Sequence, residues 1–372
     1  MNAREFIEHI SRSDQRLDIL RALRERSSTP SELAERAGVD RTPIYSAIEP
    51  LEQCGGVVSI EGRRKMTAAG KVAVSETLDA CKAVGQEAIA HLASSKDNNR
   101  FRVLKGLDEG LSRGKMVHND AYPSRSTINR AMEGFEAFDW ITPRPNSTLT
   151  KTGKDVLAGY AELYRVVEVV VEKKAYLRHI DPMKVDLPID LLANADLIQS
   201  RPNRPQRADA HMRKRINESF GHAKVFASYY SEAEVTPMFD QVECGASWEA
   251  VTPLPAHMPL PDSRPEIRHF RMGLGTDRVE WNIYPDDLPI DMILFDYDRV
   301  LLGTDFELET TRTDAILDST NPELIEWAHD LYDTYKARSS NPLDYLLNPI
   351  REKGIYEALR LDWGRGRMIE SD

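Results

Sequence analysis

The sequence predicts an α+β protein in which two tandem copies of one module precede an α/β domain. Residues 41–57 (RTPIYSAIEPLEQCGGV) recur as residues 125–141 (RSTINRAMEGFEAFDWI), 84 positions later. Each copy is followed by Thr-x-x-Gly-Lys, which begins at Thr67 and at Thr150, 83 positions apart. After residue 180, short strand and helix patterns alternate. Two copies without a third indicate a duplicated domain rather than a longer array.

The first copy begins with two predicted helices joined by a short segment. Ser13 is a candidate N-cap for a helix from Asp14 to Glu25, because leucines recur on one face of that range. Thr29-Pro30 begins a second helix, since proline suits the first helical position. Gly38 ends this helix and supplies a tight turn.

The third helix and a hairpin complete the first copy. Asp40 is a candidate cap for a helix from Arg41 to Gln53, and Pro50 should end or kink that helix early. Strands at 57–60 and 64–67 flank a turn at Glu61-Gly62. Three helices followed by a hairpin are the order of a winged helix-turn-helix domain.

The polar residues of this copy favour contact with double-stranded DNA. In a winged helix-turn-helix, the start of the third helix enters the major groove, where Arg binds guanine and hydroxyl groups contact bases or phosphates. Phosphate contacts are expected from the hairpin. The candidate DNA-binding residues are Arg41, Thr42, Tyr45 and Ser46 on the helix, and Arg63, Arg64 and Lys65 on the wing. The alternative is that these side chains form an ordinary solvated surface.

The second copy predicts helices at 101–107 and 111–118, then a third from residue 125. Its candidate DNA-binding residues are Arg125, Ser126, Asn129 and Arg130. The wing, residues 141–149, contains Pro143 and Pro145, which remove ladder donors and shorten the hairpin. This copy is therefore expected either to bind DNA through its helix or to serve only in packing or dimerisation.

A long helix is predicted after each wing, at 68–93 and at 154–179. In the second, apolar residues follow a heptad-like spacing, which indicates either a homodimer seam or packing on its own winged helix. The seam consists of Val156, Tyr160, Leu163, Val167, Val170 and Leu177. DNA-binding regulators usually bind paired half-sites as symmetric dimers, which favours a homodimer.

The predicted organisation comprises five segments. Residues 1–93 and 94–180 hold the winged helix-turn-helix domains with their following helices, and residues 181–207, which are rich in proline and polar residues, form a linker. Residues 208–340 form an α/β sensor-like domain, with strands at 223–229, 267–272, 279–284, 292–295, 300–304 and 313–317 and a helix from Glu323 to Ala337. Residues 341–372 form a C-terminal tail.

Composition predicts a cytoplasmic protein. The net charge is −11, and the chain has three cysteines and no apolar run long enough to cross a membrane. Residues 1–174 carry 27 Lys and Arg against 25 Asp and Glu, whereas residues 175–372 carry 22 against 35. This asymmetry fits a DNA-binding half joined to an acidic regulatory half. No disulfide framework, membrane contact, metal site or cofactor is expected.

The tandem copies, together with DMILFDYDRVLLG at 291–303 and STNPELIEWAHDLYDTY at 319–335, resemble archaeal winged-helix transcriptional regulators. The most similar are haloarchaeal regulators whose C-terminal domain is similar to that of the methanogenesis regulatory proteins and sugar-sensing archaeal regulators. The resemblance implies a DNA-binding N-terminal half and a C-terminal half that responds to a small-molecule or protein effector.

Two other functions remain possible at this stage. One is a protein–protein interaction scaffold in which neither winged helix binds DNA. The other is an enzyme with an unrecognised site in the C-terminal half. His222-Ala223-Lys224 matches half of a phospholipase D motif, but Tyr229 stands where that motif has Asp and no second H-x-K is present. The sequence therefore favours a regulator without enzymatic activity.

Overall fold

A computed structural model describes residues 1–143, 147–180, 184–219, 221–228, 232–253, 276–296, 298–303 and 315–341. The chain divides into two compact units, Met1–Pro182 and Met183–Asp372. We call them unit 1 and unit 2. The predicted strand at 267–272 and all but the first residue of the predicted tail lie outside the described residues.

Unit 1 begins with a helix that the sequence interpretation did not include, α1 (Ala3–Ser11). Asn2 caps it: its side chain accepts from the Glu5 backbone N–H, and the Glu5 carboxylate accepts from the Asn2 N–H. This reciprocal pair is a capping box, which satisfies two backbone donors at the helix start. Phe6, Ile7 and Ile10 are buried on one face of the helix, so α1 belongs to the core of unit 1.

The first copy contains α2 (Asp14–Glu25), α3 (Pro30–Ala37), α4 (Arg41–Gln53), β1 (Val57–Ile60) and β2 (Arg63–Met66). Ser13 caps α2 as predicted, α3 begins at Pro30 with Thr29 as its N-cap, and Gly38 ends α3 with φ of +66°. The turn residues Glu61 and Gly62 both have positive φ, which suits the twist of a two-residue hairpin. The predicted winged helix-turn-helix order is therefore confirmed in this copy.

Helix α4 has the predicted bounds, but Pro50 does not end it early and Asp40 does not cap it through its side chain. Pro50 lies inside the helix, which continues to Gln53. Proline removes only its own N–H here, its carbonyl still accepts from the Cys54 N–H, and the buried Leu51 anchors the last turn. Asp40 occupies the N-cap position, but its side chain makes no capping hydrogen bond.

The second copy contains α7 (Asn99–Asp108), α8 (Arg113–Val117) and α9 (Arg125–Ala137). In its described residues the wing is a single antiparallel bridge between Ile141 and Leu149, supported by a Thr142 N–H to Thr148 carbonyl bond of 2.8 Å. The second copy therefore keeps the three helices of the first but has a much reduced wing, as its prolines predicted.

The repeated Thr-x-x-Gly-Lys motif makes the same contacts in both copies. The Thr67 hydroxyl donates to the Gly55 carbonyl at 2.8 Å, and the Thr150 hydroxyl donates to the Asp139 carbonyl at 2.7 Å. Each threonine also caps the following helix by accepting from the backbone N–H three residues later. The next helix thus starts against the end of the third helix, through the same two hydrogen bonds in each copy.

Glycine is required at the close approach within this motif. A Cβ on Gly70 would overlap the carbonyl oxygen of Gly56, and a Cβ on Gly153 would overlap that of Trp140. Since backbone atoms form the obstacle in both cases, no side-chain rotation can relieve the overlap. The glycine of each copy therefore permits the long helix to pack directly on the preceding backbone.

Each wing leads into a helix that is interrupted once. The first is α5 (Ala68–Val84) followed by α6 (Gln86–Ala93), and the second is α10 (Lys151–Glu172) followed by α11 (Lys174–Leu177). The predicted continuous helix 68–93 was wrong, because Gly85 adopts φ of +96° between α5 and α6. In the second helix the interruption falls at Lys173.

The heptad-like residues of α10 and α11 are not an exposed seam. All six are at most 2% exposed within a single chain, and Tyr160 also donates to Asn98 Oδ1 at 2.9 Å. They pack on α5, α1 and α7 inside unit 1. The dimer interpretation of this seam was therefore wrong, since its residues already have apolar partners in the same chain.

Unit 2 has a mixed sheet in the order β3-β9-β8-β7-β4-β5-β6. Its strands are β3 (Asp196–Gln199), β4 (His222–Phe226), β5 (Ser247–Pro253), β6 (Val279–Tyr284), β7 (Met292–Phe295), β8 (Arg299–Leu302) and β9 (Ala315–Ser319). Strands β4, β5 and β6 are parallel to one another, and the remaining pairs are antiparallel. The described residues thus confirm the predicted α/β domain.

Helices cover both faces of this sheet. Helices α12 (Arg207–Glu218) and α13 (Glu232–Glu243) contribute to a core with Val225, Trp248 and Ile316. Helix α14 (Pro322–Lys336) packs against the opposite face, where Tyr332 stacks on Phe226. Because adjacent residues of a strand point to opposite faces, β4 sends Val225 to one core and Phe226 to the other.

The range predicted as a linker contributes to the sheet. Residues 189–194 form a 3-10 turn, and β3 pairs with β9 from Asp196–Asp318 to Gln199–Ala315. Leu192 is buried. The sequence interpretation missed this four-residue edge strand because residues 181–207 are polar and rich in proline. An edge strand does not require an alternating apolar pattern.

A buried carboxylate connects this sheet to α12. Asp318 is 3% exposed and accepts hydrogen bonds from His211 at 2.7 Å, Arg215 at 3.0 Å and Arg299 at 2.6 Å. Burial opposes ionisation of Asp318, but the His211 and Arg299 hydrogen bonds and both arginine charges hold its pKa below the usual value. Asp318 of β9 therefore binds side chains from both α12 and β8.

We expect Gly153→Ala to destabilise unit 1 by about 1–3 kcal/mol or more, because the added methyl would overlap the Trp140 carbonyl. Thermal unfolding followed by circular dichroism measures the effect. Gly114→Ala is the matched control, since a Cβ there meets nothing closer than 4.0 Å and Ala favours the helix. Equal melting curves for the two variants would contradict the close approach.

We expect Asp318→Asn to destabilise unit 2 by about 2–3 kcal/mol at neutral pH, because two arginines and the His211 ring lose their carboxylate partner. A carboxylate with a lowered native pKa stabilises above its unfolded pKa, and this stabilisation is lost as pH falls through the native pKa. Urea unfolding at several pH values should therefore show weaker acid dependence in the variant. An unchanged acid dependence would show that Asp318 is not the coupled group.

Candidate nucleic-acid interface

The outward face of α4 is defined by the spacing of its buried residues. Ile44, Ala47, Ile48 and Leu51 are at most 3% exposed and face the core of unit 1. The opposite positions, Arg41, Thr42, Tyr45 and Ser46, are all exposed, as predicted. One helix face thus presents a guanidinium, two hydroxyl groups and an aromatic ring to solvent.

Arg41 is positioned for an external contact. It is the first residue of α4, it is exposed, and its side chain makes no hydrogen bond or ion pair within the described residues. Ser46 is partly engaged, since its hydroxyl donates to the Pro43 carbonyl at 2.9 Å. Tyr45, which is 50% exposed, is one of three exposed large hydrophobic residues in the described part of the chain.

The wing arginines are instead engaged by the domain itself. Arg63 pairs with Glu32 at 3.0 Å and donates to the Ser27 carbonyl at 2.8 Å. Arg64 pairs with Glu52 and donates to the Ser59 hydroxyl at 2.8 Å. Both arginines therefore link the hairpin to the helices beside it.

The two turn residues of the wing, Glu61 and Gly62, carry no positive charge. Glu61 is exposed, and the neighbouring Ile60 is 40% exposed. Lys65 is half-buried and also has an interaction within the chain. The sequence interpretation placed three cations at the tip and overlooked Ile60, because β-strand alternation over four residues does not show which side faces solvent.

The second copy repeats the exposed arginine of the first. Arg125 is the first residue of α9, as Arg41 is of α4, and it too is exposed without a partner in the described residues. Ser126 is exposed with its hydroxyl 3.1 Å from that of Ser124, and Arg130 is exposed. Asn129 is half-buried, and its Oδ1 accepts no hydrogen bond within the described residues.

A second polar cluster lies in unit 2, beneath α14. Lys224, Glu249 and Glu280 lie side by side on β4, β5 and β6. Two residues of α14 neutralise this row: Asp333 bonds Lys224 at 2.8 Å, and Lys336 bonds both glutamates at 2.8 Å. The Lys336 hydrogen bond holds the pKa of Glu280 below its usual value. The cluster thus joins α14 to the sheet by alternating charges.

The H-x-K residues belong to this cluster. His222 Nδ1 lies 3.0 Å from the Ser247 hydroxyl, and its Nε2 lies 3.3 Å from Glu249. Lys224 is directed at Asp333 and lies over the Tyr332 ring. Within the described residues no group of three or more His, Cys, Asp or Glu could hold a metal ion. None of the helices in those residues has the length and apolar character needed to cross a membrane.

Two family models match the chain. Residues 4–89 match the HVO_A0261 N-terminal domain, and residues 205–338 match the middle domain of the methanogenesis regulatory protein FilR1. The matches fall in unit 1 and unit 2 respectively and confirm the resemblance to haloarchaeal and methanogenesis regulators. No curated protein matches the chain in sequence.

Solved structures show only weak similarity. NucT from Helicobacter pylori is 10% identical over 40% of this chain and 98% of its own, with a TM-score of 0.33. The phospholipase D family member Nuc from Salmonella typhimurium is 14% identical over 40% and 97%, with a TM-score of 0.31. The archaeal chromatin protein TrmBL2 is 11% identical over 88% and 94%, with a TM-score of 0.30. At these scores none of them indicates a function for this chain.

We expect Arg63→Ala to lower the stability of the wing modestly, by less than about 1 kcal/mol, because Arg63 and Glu32 are 42% and 45% exposed. Hydrogen exchange of residues 57–66 at low and high salt measures it, and the difference from the parent should shrink as salt rises. Arg41→Ala is the control and should leave exchange unchanged. Exchange that is faster than in the parent for Arg41→Ala, or no faster than in the parent for Arg63→Ala, would contradict the assigned roles.

Proposed function

We propose that this protein is a sequence-specific DNA-binding transcription regulator without enzymatic activity, acting in the cytoplasm. The observation that carries the proposal is the pair Arg41 and Arg125. Both stand at the first position of a third helix, both are exposed, and neither has a partner within the described residues. In helix-turn-helix domains the start of this helix reaches base edges, where Arg binds guanine through two hydrogen bonds.

The contrast with other arginines supports this assignment. Arg63 and Arg64 each have a carboxylate partner in the chain, so using them on phosphates would require breaking an existing ion pair. Arg41 and Arg125 break no ion pair within the described residues when they bind. The duplex contact is therefore assigned mainly to α4 and α9, with the wing as their support.

The exposed apolar residues of the first copy support an interface at the same place. Apart from Met1, the large hydrophobic residues exposed in the described chain are Tyr45 on α4 and Ile60 on β1. Apolar side chains in the major groove contact the methyl group of thymine. Their position on the two elements expected to face DNA fits a surface that is covered in the bound state.

Unit 2 is assigned the regulatory role. Its match to the middle domain of a methanogenesis regulatory protein supports a domain that responds to an effector or a protein partner. Such an effector would change DNA affinity only through different affinities for two states of the protein. The ion-paired surroundings of His222 and Lys224 support structural rather than catalytic use of both residues.

We expect Arg41→Ala and Arg125→Ala each to weaken binding to a selected duplex by about 1–3 kcal/mol with the circular dichroism spectrum unchanged. Fluorescence anisotropy on duplexes selected from genomic fragments measures the affinity, and binding should weaken as salt rises. Arg21→Ala is the matched control, because Arg21 is exposed on α2 and, among the described residues, pairs only with Asp18. If the unsubstituted chain retains no duplex at any salt concentration, the alternative of a protein–protein scaffold replaces this proposal.

A further inference from the structure

The two long helices that follow the wings are equivalent elements, and they pack on each other. Helices α5 and α10 each begin at the Thr-x-x-Gly-Lys motif, and they are in direct contact within unit 1. At their crossing a Cβ on Gly159 would lie 3.2 Å from Val84, so the small residue allows close approach. Contact between equivalent elements is the first property of a two-fold interface.

The segment after the first long helix packs on the second copy. His91 of α6 lies against the end of α9, with its ring 4.9 Å from that of Phe138 and 5.6 Å from that of Trp140. A Cβ on Gly134 would lie 2.9 Å from the same imidazole. Helix α6, which follows the first copy, thus lies on the C-terminal end of α9, the third helix of the second copy.

The segment after the second long helix packs in the same way on the first copy. A Cβ on Gly55, just after α4, would lie 3.7 Å from Cβ of Arg178, which follows α11. Helix α11 also contacts α5, which follows the first copy, as α6 contacts α10, which follows the second.

The two contacts connect equivalent positions. Helix α6 follows α5 as α11 follows α10, and Gly55 lies just after α4 as Phe138 lies just after α9. The contact of His91 with Phe138 in one direction is therefore matched by the approach of Arg178 to Gly55 in the other.

Reciprocal contacts of this kind distinguish two possible symmetries. If the copies were related by a translation along the chain, position i of one would contact position j of the next without a return contact. A two-fold axis makes i contact j and j contact i. The pairing of α5 with α10, and the contacts of α6 with α10 and of α11 with α5, both follow the second rule.

We propose that unit 1 is an internal two-fold dimer and that a single chain reads two inverted half-sites, placing α4 on one and α9 on the other. This inference rests on the proposed DNA-binding function. The ligand is a duplex with two half-sites in inverted orientation. The expected homodimer is then unnecessary for occupying both, since the second copy stands where a partner subunit would stand.

The arginines provide the means to test the assignment of half-sites. The full chain is used first to select duplexes from a random pool, and the selected duplex is labelled at one end. Hydroxyl-radical footprints are then recorded for the full chain and for its Arg41→Ala and Arg125→Ala variants. Tyr45→Ala provides a second substitution in the first copy, and Arg21→Ala is the control that should protect the duplex like the parent.

The expected result is an inverted pair of protected half-sites. Arg41→Ala and Tyr45→Ala should lose protection over one half-site, and Arg125→Ala over the other, each with about 5- to 150-fold weaker binding. Every variant is compared on the same duplex, labelled at one end, so each loss of protection is assigned to one half-site. This assignment holds whether or not the chain also self-associates.

Other footprints would overturn the inference while leaving DNA binding intact. Loss of both half-sites in Arg41→Ala together with none in Arg125→Ala would mean that two chains each contribute their first copy. Selected duplexes with direct repeats, or with a single half-site, would exclude the two-fold arrangement. Failure of the unsubstituted chain to select any duplex would instead refute the proposed function, and this inference with it.

Discussion

Unit 1 depends on one close approach of backbone to backbone, which occurs twice. The glycine in the first turn of the long helix lies on the backbone at the end of the third helix, Gly70 on Gly56 and Gly153 on Trp140. The threonine three residues earlier fixes the direction of the helix by bonding the carbonyl one residue before that point. Because each long helix begins beside the end of a third helix, the pairing of α5 with α10 also connects the two third helices.

The distribution of arginines separates folding from binding. Arginines that stabilise the domains meet carboxylates, as Arg63 meets Glu32 and Arg299 meets Asp318. Arg41 and Arg125 project from helix starts, where the helix dipole disfavours a nearby cation in the free protein. A phosphate or a base edge would relieve that cost. The arginines therefore fall into two groups: those that form ion pairs within the fold, and those that would make contacts only with a partner.

Sequence reasoning predicted the local structure and failed where partners are distant in sequence. The cap at Ser13, the helix start at Pro30 and the turn at Gly38 each depend on residues within one turn, and the structure confirmed them. By contrast, the engagement of Arg63 depends on Glu32, which is 31 residues away. Burial of the α10 seam likewise depends on α5 and α1, and the edge strand β3 on β9. Helix α1 is a different case, because its capping box at Asn2 and Glu5 was visible in the sequence.

An internal dimer has a property that a homodimer lacks, because its two halves can differ in sequence. Arg41 and Arg125 are the same residue at equivalent positions, and so could read the same base in both half-sites. By the 84-residue shift, Tyr45 corresponds to Asn129 and Ser46 to Arg130. Asparagine binds adenine through paired hydrogen bonds, whereas a tyrosine ring offers mainly apolar contact and one hydroxyl. The wings differ as well, since the first copy has a paired hairpin and the second a single bridge in its described residues. Covalent connection also removes the dependence on protein concentration that separate subunits have. The proposed internal dimer therefore implies a binding sequence of two half-sites that share one position and diverge in their flanks.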